Sequence, residues 1–356
     1  MKVLFYINSI SHGGAERVIT NLANQFSNAD NEVTLVTSFI SEWEYPLDDK
    51  VNRISICKKY VQGSIKRNIV LVKRLRKILK DTKPDLVVSF MAEPNFRAII
   101  ANRGLKSKLI LSVRSDPNKE YGNFLFRFLA KTLFRKVDGI VFQTEDAKAW
   151  FPKKIQSKSR IIFNQVDEKF FLANVNPLSK DIVTVGRLNY AKQHDLLIKA
   201  FKRIEHLIDG KLIIYGEGKL KNSLQLLIEE LGLQDRVILA GATKDVIGAL
   251  SNAKTFVLTS DHEGMPNALM EAMAVGLPCI STDCPCGGPK TLFKGGAGLL
   301  VPVREEELLA NTMLKVYTDV DLSGKLSIMA KERAKEFYPS KVFSEWNDYF
   351  LRLIKK

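Results

Sequence analysis

The sequence predicts an α/β protein built as two doubly wound halves facing a cleft. Three observations predict it. Short apolar runs alternate with helical patterns along most of the chain, which implies parallel sheets covered on both faces. The alternation comes as two series, separated by a polar stretch at 168–180 that holds Asn174, Asn176 and Pro177. At 356 residues and 46% apolar content, the chain is long enough for two domains of ordinary size.

The first series opens with strand 3–7, an unbroken apolar run, followed by helix 15–27 and strand 32–38. Strand 53–57 leads to helix 64–80, whose apolar positions recur at helical spacing among many lysines and arginines. Strand 85–90, helix 94–101, strand 108–113, helix 121–135, strand 139–144 and strand 161–164 complete it. The second series runs strand 181–185, helix 193–205, strand 211–215, helix 219–231, strand 236–240, short helix 245–253 and strand 255–258. Next come a helix bounded by Pro266 and Gly276, strand 279–282 and strand 297–301. Helices dominate from 305 onward. No sequence repeat links the halves beyond this shared architecture.

Composition excludes several classes. No apolar run of about eighteen residues occurs, so no spanning helix is expected. Residues 1–5 pass directly into a strand, unlike a signal peptide. Cys57, Cys279, Cys284 and Cys286 do not form a disulfide framework in a chain of this size, which fits a reducing cytoplasm. Cys284-Pro285-Cys286 lacks zinc spacing and a second ligand pair. His12, His194, His206 and His262 show no ligand spacing, and His206 is expected at the surface. Asp319 and Asp321 resemble a metal-binding pair but are expected in a loop between late helices.

The net charge of +15 is uneven. Residues 1–170 hold 30 Lys and Arg against 17 Asp and Glu, the remainder 24 against 22, and residues 51–160 alone 26 against 8. An anionic membrane surface, a nucleic acid or simple solubility would each account for the basic half.

Chemistry concentrates at strand-to-helix turns. Glu263 and Glu271 stand eight residues apart, with Glu263 after an apolar strand and Glu271 about one and a half turns into the next helix, on its flank. Pro266 suits the helix start, and Gly276 with Pro278 suits its end. The first-turn N–H groups and the positive end of the helix dipole form a seat for a phosphorylated ligand. Asp261 is either a contact or a turn former, and His262 either a contact or a bystander. Gly13 and Gly14, between the first strand and helix, let a ligand approach the backbone or make a tight turn. They are not a GxGxxG fingerprint. Arg187 and Lys192, in the turn 186–192, can flank a diphosphate from two directions without a metal. Gly216-Glu217-Gly218 shapes a turn, Gly241 ends a strand where a flat base can lie, and 287–290 is a further helix start or only a turn.

The combination of His-Gly-Gly-Ala-Glu-Arg at 12–17, Gly-Arg-Leu-Asn-Tyr-Ala-Lys at 186–192, Tyr-Gly-Glu-Gly at 215–218 and the run 261–282 resembles the retaining glycosyltransferases of the two-domain GT-B type, family 4. The resemblance covers roughly residues 1–340. It implies two Rossmann-like domains, an acceptor-binding one over 1–170 and a nucleotide-sugar-binding one over 171–337, with a C-terminal helix at 338–356 packing back on the first. It implies that Arg187 and Lys192 hold the donor diphosphate, Glu271 the ribose and Glu263 the transferred sugar. The backbone N–H groups of Gly264, Met265, Asn267 and Ala268 would hold phosphate and hydroxyls, with Gly13, Gly14 and Gly241 lining the nucleotide sugar. The implied reaction retains configuration, the leaving phosphate takes the acceptor's proton, and no metal or other cofactor is required.

The run 282–290 resembles members that build bacterial capsule, O-antigen or lipid-linked oligosaccharides. The implied partners are a nucleotide sugar, probed first as UDP-linked, and a saccharide or polyprenyl-diphosphate-linked acceptor; no nucleic acid is expected. One of the segments 124–136 and 66–83, rich in cations and aromatic or aliphatic residues, would meet an anionic membrane, placing a cytoplasmic protein at its inner face, or else each is a core-facing helix with a cationic outer face. Arg114 stands where many members carry a histidine, and Gln165 replaces a glycine in the turn Asn164–Asp167. The competing readings are a sugar-nucleotide epimerase of the same fold, a two-lobed ligand receptor and a basic nucleic-acid-binding protein.

Overall fold

The computed structural model describes residues 1–11, 13–57 and 65–355. His12 and Ser64, the expected first residue of helix 64–80, lie outside the described residues. The chain divides into two compact units, Met1–Asn164 together with the C-terminal stretch from Ser340, and Gln165–Pro339.

The first unit is a parallel sheet of β1 (Lys2–Ile7), β2 (Glu32–Phe39), β3 (Asn52–Cys57), β4 (Leu86–Phe90), β5 (Lys108–Ser112), β6 (Gly139–Phe142) and β7 (Ser159–Ile161). Its order is β3-β2-β1-β4-β5-β6-β7. Strand β4, Leu-Val-Val-Ser-Phe, is buried along its whole length, as a central parallel strand covered on both faces must be. One face of the sheet, with Phe5 and Ile7, packs on Phe26 from helix Gly14–Asn28 and on Trp346 and Phe350 from helix Pro339–Ile354. The C-terminal helix is fastened by Tyr349, whose hydroxyl accepts from Ile140 N (2.9 Å) and donates to Lys158 O (2.6 Å). A side chain at Gly139 would meet that hydroxyl at 2.5 Å, so glycine opens the berth.

The second unit is a parallel sheet of β8 (Ile182–Val185), β9 (Leu212–Tyr215), β10 (Val237–Gly241), β11 (Thr255–Leu258), β12 (Cys279–Thr282) and β13 (Leu299–Val301), in the order β10-β9-β8-β11-β12-β13. Its core joins Ile182, Ile214 and Val257 to helix residues Leu197, Phe201, Leu309 and Met313.

Three expectations change. The units part between Asn164 and Gln165, ahead of the polar stretch 168–180. That stretch is not a bare linker at its start. Asp167 caps helix Glu168–Leu172 by accepting from Lys169 N (3.0 Å), and Phe170 is buried in the second unit. Helix 121–135 starts later than expected, as Phe124–Leu133 capped by Asn123 and continued by the 3-10 turn Phe134–Lys136, and a separate short helix, Pro117–Glu120 capped by Asp116, precedes it. Tyr121 lies between them, buried against Phe134 and Phe151. The Asp319 pair is a helix boundary. Asp319 Oδ1 accepts from Leu322 N (2.9 Å) and caps helix Val320–Ala334, which contains Asp321.

Candidate active site

In the second sheet the chain leaves β8 toward β9 on one side and returns to β11 on the other. The carboxyl ends of β8 and β11 therefore flank the crevice where open α/β sheets bind ligands. The loops after these strands are tied together. Asp261 N donates to Ala191 O (2.8 Å), and Thr259 Oγ1 donates to Lys192 O (2.8 Å) or Gln193 O (3.0 Å). Lys192 closes a short 3-10 turn, Tyr190–Lys192, and Gln193 takes a left-handed conformation (φ 49°) before helix His194–Ile204.

Across the crevice Lys192 Nζ donates to Glu263 Oε1, with both side chains largely buried. The same carboxylate oxygen accepts from Ser260 Oγ (2.7 Å), and Thr282 Oγ1 fixes the Ser260 carbonyl (2.6 Å). The charges act on their neighbours. Burial, then the Lys192 charge, pushes the His194 imidazole down to about 4, so it is neutral at pH 7. Burial, then the Glu263 charge, pushes the Cys284 thiol up to about 12 and keeps it unreactive.

Glycines set the backbone here. Gly216 has φ 147°, and a side chain there would lie 1.9 Å from Gly186 O; one at Gly218 would lie 2.3 Å from Leu188 O. The turn after β9 can thus press against the turn after β8, with Leu188 N donating to Glu217 O (2.9 Å) and Gly216 N to Gly241 O (2.8 Å). Gly288 does the same for the glutamate loop, since a side chain on it would meet Gly264 O at 2.1 Å. Pro266 then caps helix Asn267–Val275, so the amides of Asn267 and Ala268 belong to its first turn. Gly276 ends it in a left-handed conformation (φ 95°).

The expected residues are therefore not all placed alike. Lys192, Glu263, Gly264, Met265, Asn267 and Ala268 gather at the ends of β8 and β11. Arg187 is exposed, with no carboxylate partner among the described residues. Lys192 engages Glu263 rather than standing as a second lone cation. Glu271, expected on the helix flank, is only 4% exposed, because the helix is buried from Leu269 to Val275. Gly241 belongs to β10 and adopts φ 74°. In the first unit, Gly13 caps helix Gly14–Asn28, and the Glu16 carboxylate occupies the space over Gly13 (1.9 Å from where a Cβ would sit). Close approach at Gly13 is made here by the chain's own side chain.

Arg114 is buried. It donates to Asn164 Oδ1 and, at 3.5 Å, to Ser112 Oγ, and stacks over Phe90 (4.8 Å). Burial alone pushes its guanidinium down to about 9. Sequence reasoning missed Ser260 and Thr282, whose hydroxyls nothing local marked, whereas the helix start weighed at 287–290 forms as Gly288–Leu292.

Comparisons with known proteins decide the family. The model for glycosyl transferases group 1 matches residues 165–336, and that for glycosyltransferase family 4 matches 12–170. An uncharacterized glycosyltransferase of Methanocaldococcus jannaschii is 32% identical over 329 residues, covering 77% of this chain and 80% of its own. The chain belongs to the family 4 glycosyltransferases. A Campylobacter jejuni N-acetylgalactosamine-N,N'-diacetylbacillosaminyl-diphospho-undecaprenol 4-alpha-N-acetylgalactosaminyltransferase is 29% identical to this glycosyltransferase, covering 98% of it and 99% of the relative. Among solved structures, Anabaena HepE in complex with UDP and glucose superposes with TM-score 0.81 at 18% identity, over 98% of each chain. The outer core galactosyltransferase WaaB superposes at 0.78 and 22%, over 99% of each. Both share the GT-B fold of this glycosyltransferase.

Proposed function

We propose that this glycosyltransferase moves a hexose or N-acetylhexosamine from a UDP-linked donor to a lipid-linked saccharide acceptor, with retention of configuration, in cell-surface glycan synthesis. The observation that carries the reading is the Lys192–Glu263 pair across the β8/β11 crevice, beside a helix start that favours phosphate. The relative named for an undecaprenyl-linked acceptor and the neighbour solved with UDP support its two substrates.

In this reading the donor diphosphate enters between Arg187 and Lys192. Lys192 turns part of its charge from Glu263 to the leaving oxygen, and Glu263 is released to hold the sugar hydroxyls. Charge that develops on the leaving diphosphate is met by a guanidinium, an ammonium and first-turn amides, donors already in place before the reaction. Glu271 holds the ribose. The leaving phosphate takes the acceptor's proton, and neither metal nor cofactor is used.

The acceptor brings the first unit to the membrane. Helix Phe124–Leu133 leaves Phe124, Leu125 and Phe128 84%, 59% and 57% exposed. Residues 122–136 carry Arg127, Lys131, Arg135 and Lys136 and no acid. An exposed apolar face among cations suits the interface of an anionic bilayer. Among the described residues no helix is long and apolar enough to cross one.

The test is product analysis with a panel of UDP-sugars and polyprenyl-diphosphate-linked saccharides, with and without EDTA. A glycosidic product of retained configuration is expected in both. Release of an epimerised nucleotide sugar with no transfer would replace the reading with an epimerase. Flotation on anionic liposomes that is weakened by salt and by Phe124→Ser tests the membrane contact, and flotation indifferent to both would remove it.

A further inference from the structure

Beside the carboxyl ends of β1 and β2, the first unit has a concavity of about 430 Å³ lined by Ser11, Ile40, Ser41, Glu42 and Trp43. None of these residues takes part in the proposed donor chemistry. Trp43 is 45% exposed, whereas Trp346 is fully buried. The exposed indole face of Trp43 is available to a ligand, since an aromatic ring combines a large apolar surface with a polar N–H.

The ring is held rather than loose. Trp43 packs edge-on against Tyr45 (4.8 Å between ring centres), and Tyr45 N donates to Ile10 O (2.8 Å). The neighbouring Glu44 accepts a two-pronged bond from Arg53 Nη2 (2.8 and 3.0 Å) and a bond from Ser41 N (3.3 Å). The loop after β2 is thus anchored to the turn after β1 and to β3, so a ligand meets a surface already shaped for it.

The lining specifies a ligand class. One aromatic and one aliphatic side chain offer an apolar wall, and two serines and a carboxylate stand around it. A pyranose has the complementary form, with a face of C–H bonds and a rim of hydroxyls. Among the described residues the lining holds a carboxylate and no cation, a setting that suits an uncharged sugar better than a phosphate or a nucleotide. We propose that this concavity is a pyranose-binding subsite for the acceptor saccharide, with the sugar face on Trp43 and its hydroxyls bonded to Glu42. That the bound saccharide is an acceptor rests on the transfer reading above; that a saccharide binds does not.

The intact protein is titrated with free hexoses, N-acetylhexosamines and their disaccharides, following tryptophan emission and heat of binding. At least one saccharide is expected to shift the emission, and Trp43→Phe to remove that shift while retaining measurable binding. In transfer assays Trp43→Ala is expected to raise the acceptor KM about tenfold, Trp43→Phe to restore most of it, and Glu42→Gln to raise it several-fold. The donor KM and UDP affinity should be unchanged in all three, which also shows that the variants fold. No saccharide response at millimolar concentration, or a Trp43→Ala enzyme with the wild-type acceptor KM, overturns the subsite. A saccharide response in a protein that makes no transfer product would keep the subsite as a saccharide site and sink the transfer reading instead.

Discussion

The two sheets change direction at the same place and bridge it differently. In the first, the crevice between β1 and β4 is crossed by Arg97. Its buried guanidinium donates to Asn8 Oδ1 (2.7 Å), Asn68 Oδ1 (2.9 Å), Ser38 Oγ (3.4 Å) and Glu93 Oε2 (2.6 Å). In the second, the crevice between β8 and β11 is crossed by Lys192 and Glu263, beside Arg187, which is exposed and has no carboxylate partner among the described residues. A fork satisfied on several sides locks elements together. An ammonium answered by a single carboxylate can exchange that partner for an incoming phosphate. The same scaffold thus places a structural cation at one crevice and an exchangeable one at the other.

The largest effect should come from removing the exchangeable pair. Glu263→Gln and Lys192→Ala are each expected to lower transfer by about 10²- to 10³-fold, with circular dichroism of the folded protein unchanged. If either variant keeps wild-type turnover, the second crevice is not the donor site. Gly216→Ala, which forces a Cβ into Gly186 O, is expected to cost about 3 kcal/mol in urea unfolding.

Acid should act on the second crevice through His194. Its folded value of about 4 lies below the ordinary 6.5, so the unfolded chain takes up the proton first. The stability of the neutral buried ring is complete above pH 6.5 and is lost as the pH falls from there toward 4, by an amount on the order of 3 kcal/mol. His194→Leu should flatten that acid limb in melts taken across the window. The smallest change belongs to the first crevice. Arg97→Met should cost about 2 kcal/mol, because Asn8 and Asn68 lose a donor while Glu93, half exposed, regains water. It should leave UDP affinity untouched in calorimetry, and a loss there would erase the contrast between the crevices.

Much of the second crevice was legible in local sequence. The turn at 186–192 and the glutamate run marked Lys192 and Glu263 because a strand end, a glycine and a charge fall together. Their mutual bond was not legible, since the partners are 71 residues apart and meet only through the adjacency of β8 and β11. The helix expected over 121–135 forms but begins at Phe124, for a local reason. Asn123 caps its first turn by accepting from Leu125 N, a start signal outweighed by the surrounding apolar periodicity. Arg114 appeared as a cation awaiting an anion, and the fold gives it Asn164 and the face of Phe90 instead.

By itself the sequence determined the parallel α/β class, the two series and the family, because buried strand runs, amphipathic helices and glycine turns are written in neighbouring residues. Tertiary structure alone decided which charges are answered and which stay open. A parallel sheet gathers strand ends that are far apart in the chain, and only that gathering pairs Lys192 with Glu263, leaves Arg187 exposed and sets Trp43 at the edge of a hollow.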